Sequence, residues 1–96
     1  MEFKNQEGLK LKGIIEKPKD PNELGIIICH GFLSGKDKHF IPDLAQRLVK
    51  KGFTVFRFDL QGYGDSEGTF KESSYSKHLG DLKAAIEHFR KEHERI

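Results

Sequence analysis

The chain has 96 residues, 17 basic and 15 acidic, with a net charge of +2 at pH 7. That length holds one small domain and not two, and a domain of this size buries only about 60–65% of its unfolded surface. The two signs of charge are interspersed, which excludes a nucleic-acid footprint, and no apolar run approaches the roughly 18 residues of a bilayer span. The start, MEFKNQEG, lacks the apolar core of a signal peptide. The single cysteine, Cys29, excludes an internal disulfide and fits a reducing compartment, so a cytoplasmic location is expected.

Residues Met1–Lys17 read as a hairpin. Phe3, Leu9, Leu11 and Ile15 recur at odd positions around a polar turn at Asn5–Gly8, the period of a half-buried strand. Lys17–Glu23 is a surface connection. The run Leu24–Cys29 is continuously apolar, as a parallel strand covered on both faces requires. His30–Asp37 is polar and contains glycine, hence a loop. From Lys38 to Lys51 the period changes to that of an amphipathic helix, with Phe40, Leu44 and Leu48 on one stripe, Pro42 in its first turn and Gly52 as its stop.

Phe53–Phe58 reads as a second strand, rich in aromatic and β-branched residues. Asp59–Ser74 is a loop carrying three glycines. Ser74 is the expected N-cap of a last helix whose apolar face is Leu79, Leu82, Ile86 and Phe89. A hairpin followed by strand, helix, strand and helix predicts an α/β sheet in one domain, residues 1–96, with a right-handed crossover. The last helix is expected to lead into nothing further.

The stretch Gly64-Asp65-Ser66-Glu67-Gly68 is a literal G-x-S-x-G, the pattern of a nucleophile elbow. An elbow joins strand, serine and helix in one strained turn. Here the strand ends near Phe58 or Asp59, and the segment after Ser66 does not begin a helix. The downstream histidines His78, His88 and His93 fall on or near the last helix, with no loop to return one of them as a base. Ser66 therefore reads as a structural residue, not a nucleophile.

The same residues fit a longer signature. Asp59-Leu60-Gln61-Gly62-Tyr63-Gly64-Asp65-Ser66-Glu67-Gly68 follows one strand, and His30-Gly31-Phe32 follows another. Together they resemble the N-terminal part of α/β-hydrolase serine esterases of the cinnamoyl or feruloyl type, and their monoacylglycerol-lipase-like relatives. The resemblance implies a partial α/β-hydrolase sheet, an N-terminal hairpin plus two parallel strands, with two amphipathic helices. It implies that Phe32 donates its backbone N–H to an oxyanion hole, that His30 and Gly31 shape that loop, and that Asp59, Gly62, Gly64 and Ser66 brace the neighbouring one. In the family the nucleophile, acid and histidine all follow the last helix of this chain, so no triad member is expected here, nor is a cofactor.

Other groups read as ordinary. Cys29 and His30 are adjacent on a strand and point to opposite faces, so a buried, inert thiol is expected. His88 and His93 are five residues apart, the wrong spacing for one helix face, so they read as solvated and no metal site is expected. Lys36, Lys38, Lys50 and Lys51 read as the exposed side of the first helix. Gly62-x-Gly64 is an imperfect dinucleotide fingerprint, and a nucleotide-binding module rests on fold analogy alone. The remaining alternative is a non-catalytic module that self-associates. An open edge on strand 26–29 and an uncovered last helix both predict a homo-oligomer, with a small-molecule ester as ligand only if the rest of the domain is present, and no nucleic acid or membrane as partner.

Overall fold

The computed structural model describes all 96 residues, Met1–Ile96. Six elements follow in order: β1 Glu2–Lys4, β2 Lys10–Glu16, β3 Gly25–Cys29, α1 Ile41–Lys50, β4 Thr54–Phe58 and α2 Tyr75–Arg90. They form one four-stranded sheet in the order β1-β2-β4-β3. The hairpin β1–β2 is antiparallel, and β2 pairs antiparallel with β4 from Gly13 opposite Phe58 to Glu16 opposite Val55. Strand β3 lies parallel to β4, Gly25 opposite Thr54 through Cys29 opposite Phe58. Every residue of β4 is buried, because it is central in the sheet and covered on both faces.

The two faces carry separate cores. On one, Ile28 and Val55 pack with Ile41 and Ala45 of α1. On the other, Phe56 and Phe58 pack with Phe3, Leu11, Leu60, Tyr63 and the α2 residues Ala85 and Phe89. The alternation of Val55 with Phe56 and Phe58 is the strand period sorting neighbours to opposite layers. Helix α1 starts at Ile41, after Phe40, with Pro42 in the first turn, and stops before Gly52 at φ 100°. Ser74 caps α2, its Oγ accepting from Lys77 N at 3.3 Å.

Three expectations are corrected. The stripe on α2 is rotated: Asp81, Ala85 and Phe89 are the buried positions, whereas Leu79 is 49% exposed. The helix is not a dead end either. After Arg90 the chain turns, His93 stacks on Phe89 at 5.6 Å, and Arg95 forms a parallel bridge with Leu24 on the outer edge of β3. Gly25 N donates to Arg95 O at 2.6 Å, and a side chain at Gly25 would strike Phe89 and His93 at 2.7 Å. His88 is likewise packed and not solvated, stacked on Phe3 at 5.3 Å.

The rotated stripe makes a sharp contrast measurable by urea denaturation. Phe89→Ala is expected to destabilise the fold by about 3–5 kcal/mol, the usual loss for a buried phenylalanine. Leu79→Ala should change stability by no more than about 0.5 kcal/mol, as for a surface position.

Candidate functional site

The loops that follow β3 and β4 leave the same end of two parallel strands, the place where open α/β sheets present ligand sites. Each loop is tied to the other by side chains. Asp59, 1% exposed, closes β4 and holds four hydrogens. Its Oδ1 accepts from Lys36 N at 2.7 Å, its Oδ2 from Lys36 Nζ at 2.8 Å and from Asp65 N at 3.0 Å. Its main-chain oxygen accepts from Ser66 Oγ at 2.6 Å.

Lys36 is therefore not on an exposed helix side, as its sequence neighbourhood suggested. It is 5% exposed, with its ammonium shared among Asp59, Asp65 and Asp37 at 2.8–2.9 Å. Burial alone would lower this lysine; the hydrogen bonds from the three carboxylates outweigh it and raise its pKa far above the ordinary value. The same ammonium holds the exposed Asp65 carboxyl below its usual range. A buried aspartate directly after a strand draws its donors from the loop of the neighbouring parallel strand, where Lys36 offers both an N–H and a cation. That is the signal by which Lys36 could have been found.

Ser66 has no free hydroxyl. Its Oγ donates to Asp59 O and accepts from Lys12 N at 2.9 Å, stitching β2 to the loop after β4. No histidine is among its partners. Gly62 and Gly64 have φ of 81° and 49°, and a Cβ at Gly62 would strike the Thr69 backbone at 2.7 Å, so this loop requires glycine there.

His30 is 4% exposed and spans the two loops. Its Nε2 accepts from Leu60 N at 3.0 Å and its Nδ1 donates to Gly31 O at 2.9 Å, an assignment forced because one partner can only donate and the other only accept. Burial pushes the imidazole below its ordinary value of 6.5, with the Gly31 carbonyl and Asp59 opposing. Beyond it, Ser34 N donates to Gly31 O at 3.3 Å, closing a turn with Leu33 at φ 58°. A bulky residue at positive φ is strained, and here the surrounding ties over-determine it. The turn leaves Phe32 N–H without an acceptor in the chain, while the Phe32 ring is 75% exposed.

Beside Phe32 opens a groove of about 380 Å³, walled by Leu60, Tyr63, Tyr75, Leu79 and Leu82. Cys29 lies at its edge and is exposed, not buried as its type suggested, because β3 has no neighbour strand there. The apolar groove still desolvates the thiol and, with the charge of Asp81, raises its pKa above the ordinary value. Asp81 itself is fully buried; it accepts from Asn5 Nδ2, Gln61 N and Gln61 Nε2 at 2.8–2.9 Å. Sequence reasoning passed over Asp81, Gln61 and Tyr63, whose roles depend on contacts between distant segments.

The family described as serine aminopeptidase, S33, matches residues 20–96. The chain belongs to that family. It is 37% identical over 68 residues to the thiohydrolase aneE of Aspergillus aculeatus, a match covering 71% of this chain and 21% of the relative. Among solved structures, this S33-family chain is similar to Est1E of Butyrivibrio proteoclasticus with ferulic acid bound, at TM-score 0.84 and 28% identity, over 95% of this chain and 37% of that one. An α/β serine hydrolase homologue of Coxiella burnetii shares the fold at TM-score 0.85 and 22% identity, over 99% of this chain and 46% of that one. The chain thus spans less than half the length of these relatives. The fold class is that of the α/β-hydrolases. No helix is long and apolar enough to cross a membrane.

The neutral His30 gives a pH dependence of known sign. Its folded pKa lies below the unfolded value of about 6.5, so the unfolded chain takes up a proton first as pH falls. The stabilisation is complete above that value and is lost as pH falls through the folded pKa. Urea midpoints should therefore drop between about pH 7.5 and pH 5.5. His30→Ala should lower the midpoint at about pH 7.5 and flatten the slope, without abolishing it, since burial also lowers His88.

Proposed function

We propose that this chain is the N-terminal portion of a serine carboxylic-ester hydrolase of the feruloyl-esterase type, supplying one arm of its oxyanion hole. The observation that carries the reading is the Phe32 N–H, held unpaired by a tied and strained turn beside an apolar groove at the carboxyl ends of β3 and β4. Fixed donors placed where negative charge develops are the largest single contribution to acyl transfer. The solved relative with ferulic acid bound supports an aromatic acyl ester, a small molecule, as the ligand of the whole protein. His30 and Gly31 shape the donor loop; Asp59, Gly62, Gly64 and Ser66 hold its neighbour. The reaction runs through an acyl-enzyme whose nucleophile, acid and base are not among these 96 residues, so the chain alone turns nothing over. The lone thiol fits a reducing, cytoplasmic setting.

The isolated chain should hydrolyse p-nitrophenyl acetate no faster than its imidazoles and amines do. Ser66→Ala should leave that background unchanged and lower stability by about 1–3 kcal/mol, since it orphans Lys12 N. A saturable rate abolished by Ser66→Ala would overturn the reading. Phe32 is tested by placing residues 1–96 in Est1E for the matching segment; Phe32→Pro, which lacks the N–H, should then lower kcat about 10²–10³-fold.

A second reading, self-association without catalysis, is favoured by the outer edge of β3. Arg95 covers only its beginning at Leu24, and from Ile26 to Cys29 no strand is paired with it. Open apolar edges invite a second copy, and the exposed Tyr75 and Leu79 of α2 adjoin the same end. Light scattering at micromolar concentration should report a dimer or larger; a stable 11.0 kDa monomer would exclude this.

A further inference from the structure

Tyr63 belongs to no motif position with an assigned role, yet its hydroxyl is left half-satisfied. The residue is 8% exposed and its ring is fixed on several sides: edge-on to His30 at 4.8 Å, edge-on to Phe70 at 5.6 Å and tilted to His78 at 5.7 Å. It lies between Gly62 and Gly64, both at positive φ. Its oxygen accepts from Leu33 N at 3.4 Å, and that is the only hydrogen bond it makes. The partner is a donor, so the phenolic proton has no acceptor in the chain.

Buried phenols ordinarily place that proton on a protein group. None of the neighbouring acceptors takes this proton. Both nitrogens of His30 are engaged, Nε2 with Leu60 N and Nδ1 with Gly31 O. Both oxygens of Asp59 are engaged by Lys36 and Asp65. His78 Nε2, in the same groove, makes no hydrogen bond at all, to the phenol or to anything else. What remains for the proton is the groove that Tyr63 lines together with Phe32.

We propose that the Tyr63 hydroxyl is a second hydrogen-bond donor to the ligand, acting beside the Phe32 N–H on the oxygens of one bound ester or carboxylate. Leu33, whose N–H meets the phenol, follows Phe32 directly, and consecutive residues lie about 3.8 Å apart. The Phe32 nitrogen therefore lies at most about 7 Å from the phenol oxygen, one residue step plus the 3.4 Å bond. A carboxylic ester or carboxylate, with two oxygens on one carbon, can engage both. Leu33 N–H polarises the phenol in turn, since a hydroxyl that accepts a bond donates a stronger one. The proposal rests on the donor role assigned above to Phe32, and it adds a side-chain donor that accepts no proton and undergoes no covalent change.

The test uses the 96-residue chain labelled with ¹⁵N and with ¹³Cζ-tyrosine, titrated with benzoate, whose ring suits the apolar groove and whose carboxylate stands for the ester oxygens. Benzoate should shift the Phe32 and Leu33 amides saturably, and should shift the Tyr63 ¹³Cζ signal more than that of Tyr75. Tyr63→Phe, which removes only the hydroxyl, should weaken binding about tenfold, as loss of one hydrogen bond to a charged group does. Saturable Phe32 shifts with unchanged affinity in Tyr63→Phe would overturn the role of Tyr63 and leave that of Phe32 standing. Unmoved Phe32 and Leu33 amides in the unsubstituted chain would overturn both. If Tyr63→Phe does not fold, the ¹³Cζ signal decides: a Tyr63 resonance that benzoate leaves in place overturns the proposal.

Discussion

A buried carboxylate at the end of the central strand organises this molecule. Asp59 is taken out of water where β4 runs into its loop, and a charge there is tolerable only with a cation and hydrogen bonds around it. Lys36 supplies the cation and one N–H from the loop after β3, and Asp65 supplies another N–H from its own loop. Removing the Lys36 ammonium would leave Asp59 buried and uncompensated, at a cost of about 3–5 kcal/mol, whereas Lys36 without Asp59 would keep Asp37 and Asp65. Exposed pairs such as Arg47–Asp43 on α1 carry no such consequence. The two loops are thus one unit, clasped at the strand end that faces the groove.

That clasp is what allows strain to persist in the donor turn. Leu33 adopts a backbone angle that a free chain would abandon, and the turn holding it is anchored at both ends: by His30 to Leu60, and by Lys36 to Asp59. A preorganised donor costs no rearrangement when charge appears on a substrate, which is the physical content of an oxyanion hole. The neutral, buried His30 belongs to the same logic, since an imidazolium could not accept from Leu60 N.

Much of this was legible in the sequence because it is local. The apolar run ending at Cys29, the alternating hairpin and the Ser74 cap each depend on neighbours along the chain, and element boundaries moved by only a few residues. The loop motifs were legible for the same reason: glycine spacing and an aspartate after a strand have few conformations open to them. What was not legible depends on long-range packing. Lys36 looked like one lysine among several until the parallel register of β3 and β4 set it beside Asp59. Cys29 looked like a core residue until the strand order made β3 an edge. The face of α2 could not be read from Leu79, Leu82, Ile86 and Phe89, because the buried Asp81 competes with the apolar pattern and wins.

Asp81 also explains how one helix serves two purposes. Its carboxylate is gripped by Asn5 from the β1–β2 turn and by Gln61 from the loop after β4, which fixes the rotation of α2 near its middle. Below that point Ala85 and Phe89 are pressed onto Phe56, closing the core. Above it Tyr75, His78 and Leu79 are carried past the sheet and over the loops, where they have no strand to cover and become the wall of a groove. The polar grip at Asp81 thus acts together with the apolar contacts of Leu82, Ala85 and Phe89 in placing α2 over the loops. A hydrogen-bonded carboxylate fixes rotation more narrowly than interchangeable methyl contacts would, because each of its acceptor sites demands a donor in one direction.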